Sequence, residues 1–428
     1  MAKEKLTNEQ MELIFDTMEK IYSEKIDLQE GVDKLLYEIG IYSETTYKFL
    51  YDTFKNMKNG TLYKKRPNIE MTKFFIEKFF EKDGREGLKK ALNSARENII
   101  YYYDYTKDKS KGLLNICREI VKNNKIDISF KDSDLFKDTI YTKDNFLEEV
   151  YITEKEYDKL KNLILDKKNI ILQGSAGVGK SYAAKRLAYS IIGEKDNERV
   201  KMIQFHQSYS YEDFIIGYRP KNETDGFELK EGVFYKFCKE AEMDENKENK
   251  YFLIIDEINR GNISKIFGEL FMLIENDKRK EEYALELVYK DDEKFFVPEN
   301  LYIIGLMNTA DRSLAMLDYA LRRRFIFIDI EPAFNKPQFK NDLENKNIDK
   351  DLINKIIEKF TKLNETIKND KTLGKGYTIG HSYFCNRKNL NKEDYEDIIN
   401  YEIAPTLREY WFDNEDKAEK EIKELLNI

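Results

Sequence analysis

The stretch NIILQGSAGVGKSYAAKRLAYSIIG, residues 169–193, leaves few folds open. Ile170, Ile171 and Leu172 form a short apolar run of the kind that makes a buried strand, and the Ala/Leu/Ile-rich residues after Ser181 carry helical spacing. Between them stands Gly174-x-x-x-x-Gly179-Lys180-Ser181. The glycines let backbone N–H groups turn toward one point, and the start of the following helix adds positive potential there, so the turn is built to wrap phosphate oxygens. Lys180 is placed to reach β- and γ-phosphates and the Ser181 hydroxyl to ligate Mg²⁺. Ser175, Ala176, Gly177, Val178 and Tyr182 complete the candidate nucleotide-binding set.

A strand that feeds a helix in this way belongs in a parallel sheet flanked by helices, and the downstream sequence repeats the alternation. YFLIIDEINR, residues 251–260, is a second buried strand ending in two acids. Asp256 is expected to hold Mg²⁺ and Glu257 to orient or deprotonate an attacking water. LYIIGLMNTADRSLAMLDYALRRRF, residues 301–325, is a third strand ending at Asn308. Asn308 would stand beside Asp256 at the carboxyl edge of the sheet, within reach of a γ-phosphate or the water. The helical run that follows delivers Arg322, Arg323 and Arg324, whose planar, permanently charged side chains suit transition-state charge on a neighbouring subunit's phosphate. A surface basic patch or a nucleic-acid contact is the plainer reading of the same three residues.

The chain has 428 residues with 41% hydrophobic content, enough for two or three domains. Residues 1–130 carry helical periodicity, opening with a Thr7-x-x-Gln10 capping pattern, and Gly84 and Gly87 divide a later helical stretch. Residues 131–150 lose that period and read as a linker, 151–334 as the α/β core, and 335–428 as a helical lid. A net charge of −8 argues against a chain that coats nucleic acid along its length. The charge is uneven, however: residues 1–50 hold 6 basic and 11 acidic side chains, residues 51–130 hold 18 and 11. Interleaved with Tyr and Phe, the second stretch reads equally as a nucleic-acid surface or as a helical bundle with a solvated lysine face. No apolar run is long enough for a membrane span and the first residues lack a secretory core, so the expected location is cytoplasmic. Cys117, Cys238 and Cys385 lack metal or disulfide spacing, and two histidines, His206 and His381, do not make a metal site.

These motifs, in this order, resemble the AAA+ ATPases, with Asn308 at the sensor 1 position. Within AAA+, MNTADRS (307–313), FHQSYSYEDFIIGYRP (205–220), IIDEINRGNISKIFGEL (254–270), ALRRRF (320–325), IGHSYF (379–384) and APTLREYWF (404–412) resemble the McrB-like family over residues 145–428. The resemblance implies a P-loop nucleoside triphosphatase using GTP, or ATP, with Mg²⁺. It implies a homo-oligomeric, hexameric ring and an McrC-type partner that carries the nuclease, none being recognisable in this chain. It also implies catalytic roles for Asp311, Arg323 and Arg324 beside Glu257 and Asn308, and a DNA-recognition role for the N-terminal domain, with modified DNA as its target. Guanine selectivity rests on the resemblance alone, because no NKxD motif is present. The competing expectation is a MoxR-like ATPase that remodels proteins.

Overall fold

The computed structural model describes residues 6–106, 108–136, 140–221, 226–244, 246–310 and 319–428. The chain divides into two compact units, residues 1–140 and 141–428.

The first unit is helical, with helices Asn8–Tyr22, Leu28–Glu38, Glu44–Asn59, Ile69–Thr106 and Lys111–Asn124. Thr7 and Gln10 cap the first helix reciprocally: Thr7 Oγ1 accepts from Gln10 N at 3.2 Å and Gln10 Oε1 from Thr7 N at 2.9 Å. The long fourth helix is broken at Gly84, whose φ of 63° a residue with a side chain rarely adopts. Phe15, Phe54, Phe75 and Phe79 bury against one another, with Phe15 and Phe54 edge-on at 5.0 Å. The basic residues of the same stretch partly face the acidic first helix. Lys78 pairs with Glu12 at 2.8 Å, and Lys82 with Asp16 at 2.8 Å and Glu19 at 2.6 Å. Much of the aromatic and basic content of 51–130 is therefore consumed in holding the bundle together.

Among the described residues the second unit has nine strands. They are β1 (Asn169–Gly174), β2 (Val200–Gln204), β3 (Ile216–Pro220), β4 (Phe227–Glu231), β5 (Tyr251–Asp256), β6 (Leu285–Leu287), β7 (Lys290–Phe295), β8 (Leu301–Asn308) and β9 (Ile326–Asp329). Five of them form a parallel sheet in the order β2-β5-β8-β1-β9, while β3-β4 and β6-β7 are antiparallel hairpins. The apolar runs explain the sheet. Ile170 and Leu172 enter one hydrophobic cluster with Phe252, Ile254 and Ile304, whereas Ile171 enters the opposite one with Leu253, Ile255 and Ile303. Both faces are covered, which is why these strands are continuously apolar rather than alternating. Each such side chain contributes about 1.5–3 kcal/mol by leaving water.

The register is what matters for function. Gly174 pairs with Asn308 and Gln204 with Asp256, so three separate motifs end at one sheet edge. At the opposite edge Arg279, wholly buried, donates from Nε to Ile274 O at 3.1 Å and binds Asn169 Oδ1 and Leu301 O. Asn169 Nδ2 in turn donates to Arg324 O at 3.1 Å.

Residues read as a linker behave otherwise. Lys143–Glu149 is a helix capped by Thr142, and it buries Phe146 against the cluster that contains Tyr157 and Ile170. Two turns are too short to display a period in sequence, and a single fully buried phenylalanine fixes them. The lid gathers Phe334, Phe360, Phe384, Trp411 and Ile422 around the helix Lys350–Asn369. No helix among the described residues is long and apolar enough to cross a membrane.

Candidate nucleotide site

The loop after β1 turns through Gly177 and Gly179, at φ 76° and 78°, into the helix Lys180–Ile192. Lys180 Nζ donates to Gly174 O at 3.0 Å and Ser175 O at 2.8 Å, so its ammonium lies inside the loop. Ser181 Oγ donates to Asp256 Oδ2 at 3.4 Å, bringing together the two side chains expected at Mg²⁺. One carboxylate and one hydroxyl suit that ion, which takes most of its other oxygens from substrate phosphates and water.

Glu257 follows directly, with φ 50° in the left-handed region. Its N–H donates to Asp256 Oδ1 at 3.0 Å and its Oε2 accepts from Arg260 Nε at 3.1 Å. A non-glycine residue held there costs about 1–3 kcal/mol, and such strain persists where a side chain must be aimed in a set direction. Asn308 closes β8, its Oδ1 accepting from Ala310 N at 3.3 Å while Thr309 N donates to Gly174 O at 3.1 Å. Asp311 and Arg312 lie outside the described residues.

The arginines separate. Arg324 is turned into its own unit: Nη2 meets Glu275 Oε1 at 2.6 Å, Nε donates to Phe271 O at 2.8 Å, and the guanidinium lies 4.2 Å from the Phe271 ring centre. Arg322 and Arg323 are exposed on the same short helix, Tyr319–Arg324.

The lid grips the loop from behind. Ser382 N donates to Gly177 O at 3.0 Å, and Ser175 Oγ lies 3.0 Å from Thr378 Oγ1. Backbones come so close that a Cβ on Gly380 would stand 2.0 Å from the carbonyl carbon of Gly177.

Residues 169–325 match the AAA domain of the dynein-related subfamily, and residues 355–419 match the McrB alpha-helical lid domain. The chain is 51% identical over 293 residues to the Type IV methyl-directed restriction enzyme EcoKMcrB subunit of Escherichia coli (strain K12). The second unit is an McrB-type AAA+ module. That alignment covers 67% of this chain and 63% of the relative. A second relative, the Type II restriction enzyme BsuMI component YdiS of Bacillus subtilis (strain 168), is 30% identical over 199 residues, covering 38% of this chain and 57% of its own length. The chain thus spans under two thirds of each of these relatives.

An McrB-type lid also builds what the sequence only hinted at in IGHSYF. A cavity of about 970 Å³ opens beside Val178, Gly179 and Tyr182 and runs between the 146–152 segment and lid residues His381, Ser382 and Cys385. Tyr182, expected as part of the nucleotide-binding set, is half exposed at this cavity with its ring against the Arg186 guanidinium. His381 is buried among Tyr151, Phe334 and Phe339, accepts through Nδ1 from Ala333 N at 3.0 Å, and has Nε2 within 3.8 Å of where a Gly179 Cβ would be. His206 sits exposed after β2, its ring 5.4 Å from that of Tyr209.

Burial lowers the His381 pKa to about 4, so the ring is neutral in the folded protein at neutral pH. The unfolded chain binds the proton near pH 6.5, so this group's stabilisation is complete above that value and is lost as pH falls toward 4. The whole shift corresponds to about 3 kcal/mol. Thermal unfolding of the wild type should therefore move down between pH 6.5 and 4.5 by more than that of His381→Asn, which keeps an acceptor for Ala333. Parallel curves for the two proteins would contradict a neutral buried imidazole.

Proposed function

We propose that this chain is the motor subunit of an McrBC-like DNA restriction complex, hydrolysing GTP in preference to ATP. The observation that carries the reading is the convergence of Lys180, Ser181, Asp256, Glu257 and Asn308 at one edge of the parallel sheet. Loop N–H groups and Lys180 bind and orient the phosphates. Asp256 and Ser181 hold Mg²⁺, which when bound neutralises charge on the β- and γ-oxygens. Glu257 accepts a proton from the attacking water, and Asn308 positions that water or the γ-phosphate. Asp311 is assigned to the same catalytic group.

Lys180 supplies a strong cation to the transferring phosphoryl group from within the loop. Exposed Arg323 supplies a second when presented to an adjacent subunit, which makes the working form a ring, taken here as a hexamer. An McrC-type subunit carries out DNA cleavage, and residues 1–140 recognise the DNA, modified DNA being the expected target.

One observation favours the MoxR-like alternative, in which the first unit binds protein partners: Lys78 and Lys82 are paired within the bundle and much of its aromatic content is core. A single comparison separates the two. Steady-state hydrolysis of GTP and ATP is measured with and without an McrC-type protein encoded next to this chain, alongside DNA binding by the full chain and by residues 141–428. GTP preference, stimulation by the partner, and DNA binding lost with the first unit are expected. ATP preference and no DNA binding by the full chain would move the assignment to a protein remodeller.

A further inference from the structure

The cavity beside Gly179 is the place left for the base of a nucleotide whose phosphates occupy the loop. Its far wall is reached from the loop through three side chains in contact. His381 lies against Gly179, the Tyr151 ring is 5.2 Å from that of His381, and Tyr151 OH donates to Asp342 Oδ2 at 2.7 Å. Asp342 lies in the helix Pro337–Asn345, and Lys346 caps that helix. The Lys346 ammonium binds Asp342 Oδ2 and Cys385 O. Both of the carboxylate's bonds therefore fall on Oδ2, although the side chain is only 27% exposed.

Other acids on the cavity wall have partners of their own. Glu156 caps Thr153 and pairs with Lys336, Glu149 is taken by Arg186 and Tyr182, and Asp329 binds Gln173 and Lys375 through its two oxygens. Glu149 likewise takes both of its bonds on one oxygen, Oε2, beside the Arg186 guanidinium; Asp342 is set apart by Lys346, whose ammonium has a third N–H beyond those given to Asp342 Oδ2 and Cys385 O.

We propose that Asp342 and Lys346 read the Watson–Crick edge of guanine. This rests on the reading of the chain as a GTP-preferring motor. Guanine presents two adjacent donors, N2–H and N1–H, followed by the O6 acceptor; Asp342 Oδ1 accepts from the donors and Lys346 Nζ donates to O6. Adenine presents a lone-pair acceptor at N1 and a donor at N6, so it meets the carboxylate and the ammonium with like polarity at both points. A site with buried polar groups that its ligand must satisfy rejects the ligand that cannot do so more strongly than an apolar pocket does. Tyr151 is a positioning residue, fixing the carboxylate rather than touching the base.

The test is steady-state hydrolysis of GTP, ATP and xanthosine triphosphate by the full chain and by Asp342→Asn. The asparagine oxygen stays with Tyr151 and Lys346, which donate to that position, so its amide nitrogen donates where Oδ1 accepted, which suits the xanthine O2 carbonyl and repels the guanine donors. Asp342→Asn should lose about 10²-fold or more in kcat/KM for GTP, chiefly through KM, and should gain at least about tenfold on xanthosine triphosphate over the wild type. A gain on a new substrate is something general damage to the lid does not produce. Should that variant fail to fold, Tyr151→Phe keeps the cavity's shape, and it should reduce GTP-over-ATP selectivity about tenfold through KM with kcat retained. Wild-type selectivity in folded variants overturns the base-reading role alone. A wild-type protein that uses ATP as well as GTP overturns the parent reading and this one together.

Discussion

Glu257→Gln should lower kcat by about 10²–10⁴ while leaving nucleotide affinity and oligomeric state unchanged. The substitution keeps size and an oxygen for Arg260 Nε, now 3.1 Å from the carboxylate, but removes the charge that accepts a proton. Asp256 and Ser181 remain in place, so binding of nucleotide with Mg²⁺ should survive. Single-turnover hydrolysis measured beside equilibrium binding separates the two effects. A variant that binds normally and turns over at the wild-type rate would remove Glu257 from the chemistry, and its strained backbone at φ 50° would need another explanation.

A second large effect is expected at the arginines, and it differs between neighbours. Arg323→Ala should cost about 10³–10⁵ in rate, the range seen when a charge-stabilising arginine is removed from phosphoryl transfer. Mixing it with Lys180→Ala, which binds nucleotide poorly but retains its own Arg323, should restore hydrolysis, because each defective subunit supplies what the other lacks. Arg324→Ala should instead lower the thermal midpoint, since it breaks a part-buried ion pair to Glu275 and a bond to Phe271 O. Equal thermal midpoints for the two variants, or failure of the mixture to recover, would reverse this division of roles.

That division could not be read from ALRRRF. Three identical side chains in a row carry no mark of direction, and what distinguishes Arg324 is Glu275 and Phe271, about fifty residues upstream. By contrast the phosphate loop, Asp256, Glu257 and Asn308 were legible because each sits where a continuous apolar run stops. The sheet register then brings those stops to one edge without further information. The lid's hold on the loop was hidden for the opposite reason: Ser175 and Thr378 lie 203 positions apart, and small polar residues give no periodic signal. In the first unit, composition left a nucleic-acid surface and a helical bundle with a solvated lysine face equally open, and the structure has Phe54, Phe75 and Phe79 in the core and Lys82 facing Asp16 and Glu19. Composition records how many charges a segment carries, not which of them have partners in space.

The bond from Asn169 to the carbonyl of Arg324 has a mechanical consequence. Strand β1 is six residues long, about 20 Å end to end. Its last residue opens the loop that holds this subunit's own substrate, and its first residue grips the segment that carries Arg323. In the proposed ring those two ends would serve different substrates, one in this subunit and one next door. A hydrogen-bonded strand inside a packed sheet is stiff along its length, so a push at the phosphate end arrives at the arginine end without a hinge to absorb it. Turnover in one subunit would then be felt by its neighbour as a displacement of its finger, and the strand would act as the push rod of a firing order around the ring.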